Sequence, residues 1–119
     1  MKAVLTERDI AAYLVERVAS EGGVHRKVSW EGRADAPDYL VMLNGLYAFV
    51  ETKAPGKKPR ASQLREFVQM DNAGGLQVLV VTTRDEADEL VHGMTHLMLL
   101  PPMIEKLSYK RFLPCDTKN

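Results

Sequence analysis

The chain has a single cysteine, Cys115, in 119 residues. That excludes an intrachain disulfide framework and any multi-cysteine zinc site, and it makes a reducing cytoplasm the expected compartment. Long apolar runs are also missing. The opening "MKAVLTERDIAAYL" is broken by charges, so neither a signal peptide nor a membrane span is visible. There is no Gly-rich nucleotide loop, internal repeat, low-complexity segment or domain linker. Net charge is absent too: 16 bases balance 16 acids, which gives no ground for a general polyanion coat. His25, His92 and His96 have no zinc-ligand spacing, since Gly93 interrupts the last two and no His-Glu motif accompanies them. All three are expected to be structural or surface residues.

What is present suits one globular domain over residues 1–119, with 45% hydrophobic residues around one modest core. The charges are unevenly placed. Lys53, Lys57, Lys58, Arg60 and Arg65 crowd one segment against the single acid Glu66, while Asp85, Glu86, Asp88 and Glu89 compensate elsewhere. A locally basic loop on a neutral chain points to a focused anionic partner. Lys57, Lys58 and Arg60 fit phosphate contacts, with Arg26, Lys27 and Arg33 extending the surface. A merely solvated loop would carry the same charges.

Periodicity predicts the order helix, three strands, helix, strand, and hence an α/β fold with one mixed sheet. Thr6 caps the first helix with Asp9 three residues on, Ile10, Leu14 and Val18 share its buried face, and Gly22-Gly23 ends it. "VHRKVSW", Val24 to Trp30, alternates as a strand. "DYLVML" and "LYAFVETK" flank Asn44-Gly45, a strong two-residue hairpin signal. A Pro- and Lys-rich loop leads to a helix starting near Ser62 and closed by Gly74-Gly75. "LQVLVVTT" is a strand buried on both faces. An acidic-led helix follows from Arg84, which the Pro101-Pro102 pair is expected to stop. Met103, Ile104, Leu107, Tyr109 and Phe112 form an apolar tail, available for internal packing or for a dimer interface.

The hairpin builds a candidate site. Six positions lead from Asp38 to Asn44 and six from Gly45 to Glu51, so the turn lays Asp38 beside Glu51. Residues two apart on a strand share a face, which places Lys53 with Glu51 and turns Thr52 away. Two adjacent carboxylates repel unless one stays protonated or a hard cation such as Mg²⁺ or Mn²⁺ joins them. The Thr52 carbonyl could add an oxygen, and Lys53 would offset charge on a phosphate. Gln63 opens the next helix and could orient a water or a phosphate there. Glu7 could add a third carboxylate, or simply stabilise its helix start.

These residues resemble the VRR-NUC domain, a branch of the PD-(D/E)xK nucleases. The resemblance runs from "TERDI" through "EGGVHRKVSWEGRADAPD" and Glu51-Thr52-Lys53-Ala54-Pro55-Gly56 to "GGLQVLVV". The family pattern falls on Glu7, Gly32-Arg33, Pro37-Asp38, Glu51-Thr52-Lys53 and Gln63. Asp35-Ala36 departs from it, standing where such proteins often carry a Gly-Val-like pair. The resemblance implies a restriction-endonuclease-like core and metal-dependent hydrolysis of DNA, with Asp38 and Glu51 as ligands and Lys53 catalytic. It also implies a stand-alone phage or mobile-element protein, similar to Holliday-junction resolvases, acting as a homodimer on branched DNA. A restriction-like, flap or nicking nuclease, or a non-catalytic DNA-binding module of the same fold, are the alternatives.

Overall fold

The computed structural model describes residues 4–96 and 101–114. Cys115 lies outside them, as do the positions 97–100 of the acidic-led segment and the side chain of Met103.

Helix α1 (Glu7–Ser20) begins where the sequence predicts. Thr6 Oγ1 accepts from the Asp9 N–H at 3.2 Å and the Asp9 carboxylate accepts from the Thr6 N–H at 2.8 Å, a closed capping box. Strands β1 (Val24–Lys27), β2 (Tyr39–Leu43) and β3 (Leu46–Thr52) form an antiparallel meander. Helix α2 (Ala61–Gly74) then crosses to β4 (Leu79–Val81), which pairs parallel with β3, giving the order β1-β2-β3-β4. The expected mixed sheet is therefore the observed one. Helices α3 (Arg84–Thr95) and α4 (Pro101–Leu107) and a 3₁₀ turn (Tyr109–Phe112) follow among the described residues.

Two apolar layers sandwich the sheet. On one side Ile10, Leu14 and Val18 of α1 meet Val41, Val50, Leu79 and Val81, with Leu90 and Met94 of α3. On the other, Phe67 of α2 and Tyr109 close over Val78 and Val80, the two rings edge to face at 5.9 Å. Alternate residues of β4 thus serve opposite layers, as a continuous apolar run demands.

Two expectations change, and one open alternative is decided. The first strand stops at Lys27 instead of reaching Trp30, whose indole donates to the Pro37 carbonyl at 2.8 Å and lies 5.5 Å from the Phe49 ring. Pro101-Pro102 opens a helix instead of only ending one, since a proline at a helix start lacks an N–H that would have no partner there anyway. The tail is internal. Leu107 and Tyr109 are buried, and Arg111 donates to the Val80 carbonyl at 2.8 Å and pairs with Glu86, pinning the tail across β4 and α3. Those side chains are not offered to a partner. No helix among the described residues is long and apolar enough to cross a membrane.

Candidate active site

Asn44 and Gly45 both take positive φ, 56° and 81°, the signature of a two-residue turn whose twist matches the strands it joins. The resulting register pairs Leu43 with Leu46 and Tyr39 with Val50. One step further along, Asp38 stands opposite Glu51. Its backbone is fixed from the other side, because the Asp38 carbonyl accepts from the Val28 N–H at 2.7 Å. Pro37, buried and held by Trp30, anchors the approach.

Glu51 is 1% exposed. Its Oε2 accepts from Gln63 Nε2 at 2.9 Å and lies 3.3 Å from Lys53 Nζ. Its Oε1 is buried and has no hydrogen-bond partner. Burial, and secondarily the Asp38 carboxylate, push the Glu51 carboxyl up to about 7, against the opposing pull of Lys53 and Gln63. Lys53 is itself buried. Its N–H donates to the Val81 carbonyl at 3.0 Å, and its ammonium spans from Glu51 to Glu7, 3.9 Å away. Glu7 is half exposed and is brought to Lys53. Thr52 turns its side chain to the opposite, α1 face.

Gln63 does two jobs. Its Oε1 accepts from the Arg60 N–H at 2.9 Å, capping α2 in place of an N-cap side chain, while its Nε2 holds Glu51. One amide thus ties the helix start to the buried acid. Sequence reasoning missed Asp35. Its Oδ1 accepts from Ser62 Oγ at 3.1 Å and Arg60 Nη2 at 3.3 Å, joining the loop that carries Asp38 to the helix that carries Gln63. The available signal was an acid placed between Arg33 and Asp38, opposite a basic segment. Arg33 reaches Glu66 at 3.8 Å, so two of the three arginines of the expected phosphate surface, Arg33 and Arg60, have acid partners, while Arg26 reaches the His25 carbonyl at 2.7 Å. Lys27, Lys57 and Lys58 are exposed. His92 and His96 stack on each other at 4.1 Å on the exposed side of α3, remote in the sequence from this constellation.

No family model matches the chain. It is 43% identical over 83 residues to "Putative nuclease p44" of Acyrthosiphon pisum secondary endosymbiont phage 1, a stretch covering 69% of this chain and 88% of that protein. A solved VRR-NUC domain is 37% identical and superposes with a TM-score of 0.63, covering 74% of this chain and 97% of the domain. The chain belongs to the VRR-NUC nuclease family. Its restriction-endonuclease-like core is the mixed sheet with helices on both faces described above.

The donor set of this VRR-NUC chain can be tested against a divalent cation. Among the described residues no three His, Cys, Asp or Glu side chains converge on one point. Mg²⁺, however, keeps several waters and often takes only one or two carboxylates. An orphaned buried oxygen on Glu51, facing a second carboxylate that raises its proton affinity, is a cost that a hard cation would remove. The residues fit the ion.

Proposed function

We propose that this VRR-NUC nuclease is a Mg²⁺- or Mn²⁺-dependent, structure-selective DNA endonuclease of Holliday-junction-resolvase type. The observation that carries the metal and the chemistry is the buried Glu51 carboxylate, with one oxygen free, Asp38 opposite and Lys53 attached. Asp38, Glu51 and the Thr52 carbonyl would hold the cation. When bound, it supplies Lewis-acid activation of water and neutralises charge on the scissile phosphate.

The chain's own residues do the rest. Lys53 is anchored through its N–H on β4 and held by two carboxylates, so its ammonium enters the site already oriented to stabilise a developing phosphate charge. Gln63 acts through Glu51 as a positioning residue, fixing the Oε2 so that Oε1 faces the site. Glu7 keeps Lys53 extended. Lys57 and Lys58 supply sequence-independent phosphate contacts, with Lys27, Arg33 and Arg60 around them. A symmetric branched substrate is met by a homodimer.

Cleavage of labelled four-way junctions, flaps, nicked and plain duplex tests the reading. Junction cutting should require Mg²⁺ or Mn²⁺, stop with EDTA, and fall at least about 100-fold in Lys53→Ala while binding is retained. Undiminished cutting by Lys53→Ala would remove it from catalysis. Cutting confined to plain duplex would replace the junction assignment by a restriction-like one.

A further inference from the structure

Gly93 is expected to part His92 from His96, yet α3 runs through it unbroken, with Gly93 itself buried. The two histidines therefore stand one turn apart on the same exposed face. Their ring centroids are 4.1 Å apart and the planes tilt by 34°. The backbone beneath them is held from another element. Asn44 Nδ2 donates to the Met94 and Thr95 carbonyls, so the hairpin turn docks on the last turn of α3 and fixes the backbone that carries both rings.

The ring nitrogens suit a metal. His96 Nδ1 lies 2.9 Å from the His92 carbonyl oxygen, and beside an acceptor it carries the proton. The His96 Nε2 lone pair is thereby left free, and the outer hydrogen bond that a metal-bound imidazole usually makes is already in place. The His92 ring has no hydrogen-bond partner among the described residues. Both rings are exposed, so turning them about χ2 brings a nitrogen of each onto one ion without disturbing the core. No lysine or arginine occupies the last turn of α3, whose dipole favours a cation. No group of three His, Cys, Asp or Glu side chains converges among the described residues, so water fills the remaining positions. Imidazole ligands select Zn²⁺, Ni²⁺ or Cu²⁺, whereas Mg²⁺ prefers oxygen.

We infer that His92 and His96 form a two-nitrogen chelate for a transition-metal ion of the zinc, nickel or copper class, separate from the nuclease centre. Six positions along β2 separate Asn44, at this end of the hairpin, from Asp38 at the other, about 20 Å at the usual rise per residue. Asp38, Glu51 and Lys53 take no part. The bound ion ties the last turn of α3 together and reinforces the helix end on which the hairpin docks.

The test is calorimetric titration of the full chain with Zn²⁺ or Ni²⁺, in saturating Mg²⁺ so that carboxylate sites are filled. Wild type should bind one ion per chain, and its thermal midpoint by circular dichroism should rise with the ion present. Even outer hydrogen-bond partners of a metal ligand are worth about 10- to 100-fold in affinity. Loss of a ligand itself, in His92→Gln or His96→Gln, should therefore weaken binding at least about tenfold and abolish the thermal gain. Glu51→Gln should bind the ion as wild type does. Electron paramagnetic resonance of Cu²⁺ bound to wild type should show coupling to two imidazole nitrogens, a signature that depends on no variant folding. Undiminished binding by the His92→Gln/His96→Gln double variant, a Cu²⁺ spectrum without the paired nitrogens, or no binding by wild type overturns the site. A loss in Glu51→Gln as large as in the histidine variants places the ion in the nuclease centre and overturns it too. None of these outcomes touches the nuclease reading, which the cleavage assays decide.

Discussion

A carboxyl group that belongs near pH 4.5 and sits near 7 ties the chemistry of Glu51 to folding. The sign follows from which form the fold prefers. Burial favours the protonated acid, so its contribution is fully present below the unfolded value and is lost as pH rises through the folded one. Without a divalent cation, stability should fall by about 3 kcal/mol from this group alone between pH 4.5 and just above 7. Glu51→Gln should flatten that part of the profile and, in EDTA at pH 8, be more stable than wild type. Urea melts at pH 5 to 8 measure it, and parallel wild-type and variant curves would show that Glu51 titrates as an ordinary acid. Mg²⁺ should raise the wild-type midpoint at pH 8 and leave the variant's unmoved. Cleavage should accordingly increase through neutral pH as Glu51 ionises. None of this was legible from Glu51-Thr52-Lys53 alone. The alternation of a strand put Glu51 and Lys53 on one face, but burial of that face depends on α2, which arrives later in the chain.

Elements hold the site through contacts that local pattern reveals unevenly. The capping box of α1, the Asn44-Gly45 turn and the doubly buried β4 were all readable, because each depends on near neighbours or on a strict period. Long-range polar contacts were not. Asn44 illustrates both. Its turn role follows from the dipeptide, yet its Nδ2 also donates to the Met94 and Thr95 carbonyls, at 3.3 and 2.9 Å, closing the C-terminus of α3. Asn44→Ala removes these bonds and keeps a positive φ without a residue suited to it, so it should cost about 1–3 kcal/mol in chemical denaturation. Asn44→Gly should recover part of that cost, through the turn only. Gly23 is a second case of long-range control. A Cβ there would lie 2.8 Å from the Met42 carbonyl oxygen and from Val18 Cγ1, where α1 hands over to β1. Gly23→Ala should destabilise by about 1–3 kcal/mol, measured as a shift in urea midpoint at unchanged slope. Asp35 and the two ends of Gln63 escaped sequence reasoning for the same reason: a short polar side chain carries no periodic signal.

At the scale of the molecule, the helices leave one part of the sheet open. Tyr47 is 69% exposed and Val24 40% exposed, and with half-buried Leu40, Met42 and Phe49 they border an open hollow of about 560 Å³. Leu107 and Tyr109 of the apolar tail are buried against their own chain, so this face is the better candidate for the proposed homodimer. Sedimentation at micromolar concentration should show a dimer that Tyr47→Glu converts to monomer; a wild type that stays monomeric would remove the two-fold assembly from the proposal. The hairpin carries a different lesson for the whole chain. Because the register that lays Asp38 opposite Glu51 is set by one tight turn and two strands, it is insulated from length changes elsewhere. Loops at 31–36 and 54–60 can grow, and domains can be spliced beyond either end, without moving the paired acids. A single residue inserted beside Asn44-Gly45 would instead turn one acid to the wrong side of the sheet. Descendants of this chain are free to diversify around the turn, and across it they are not.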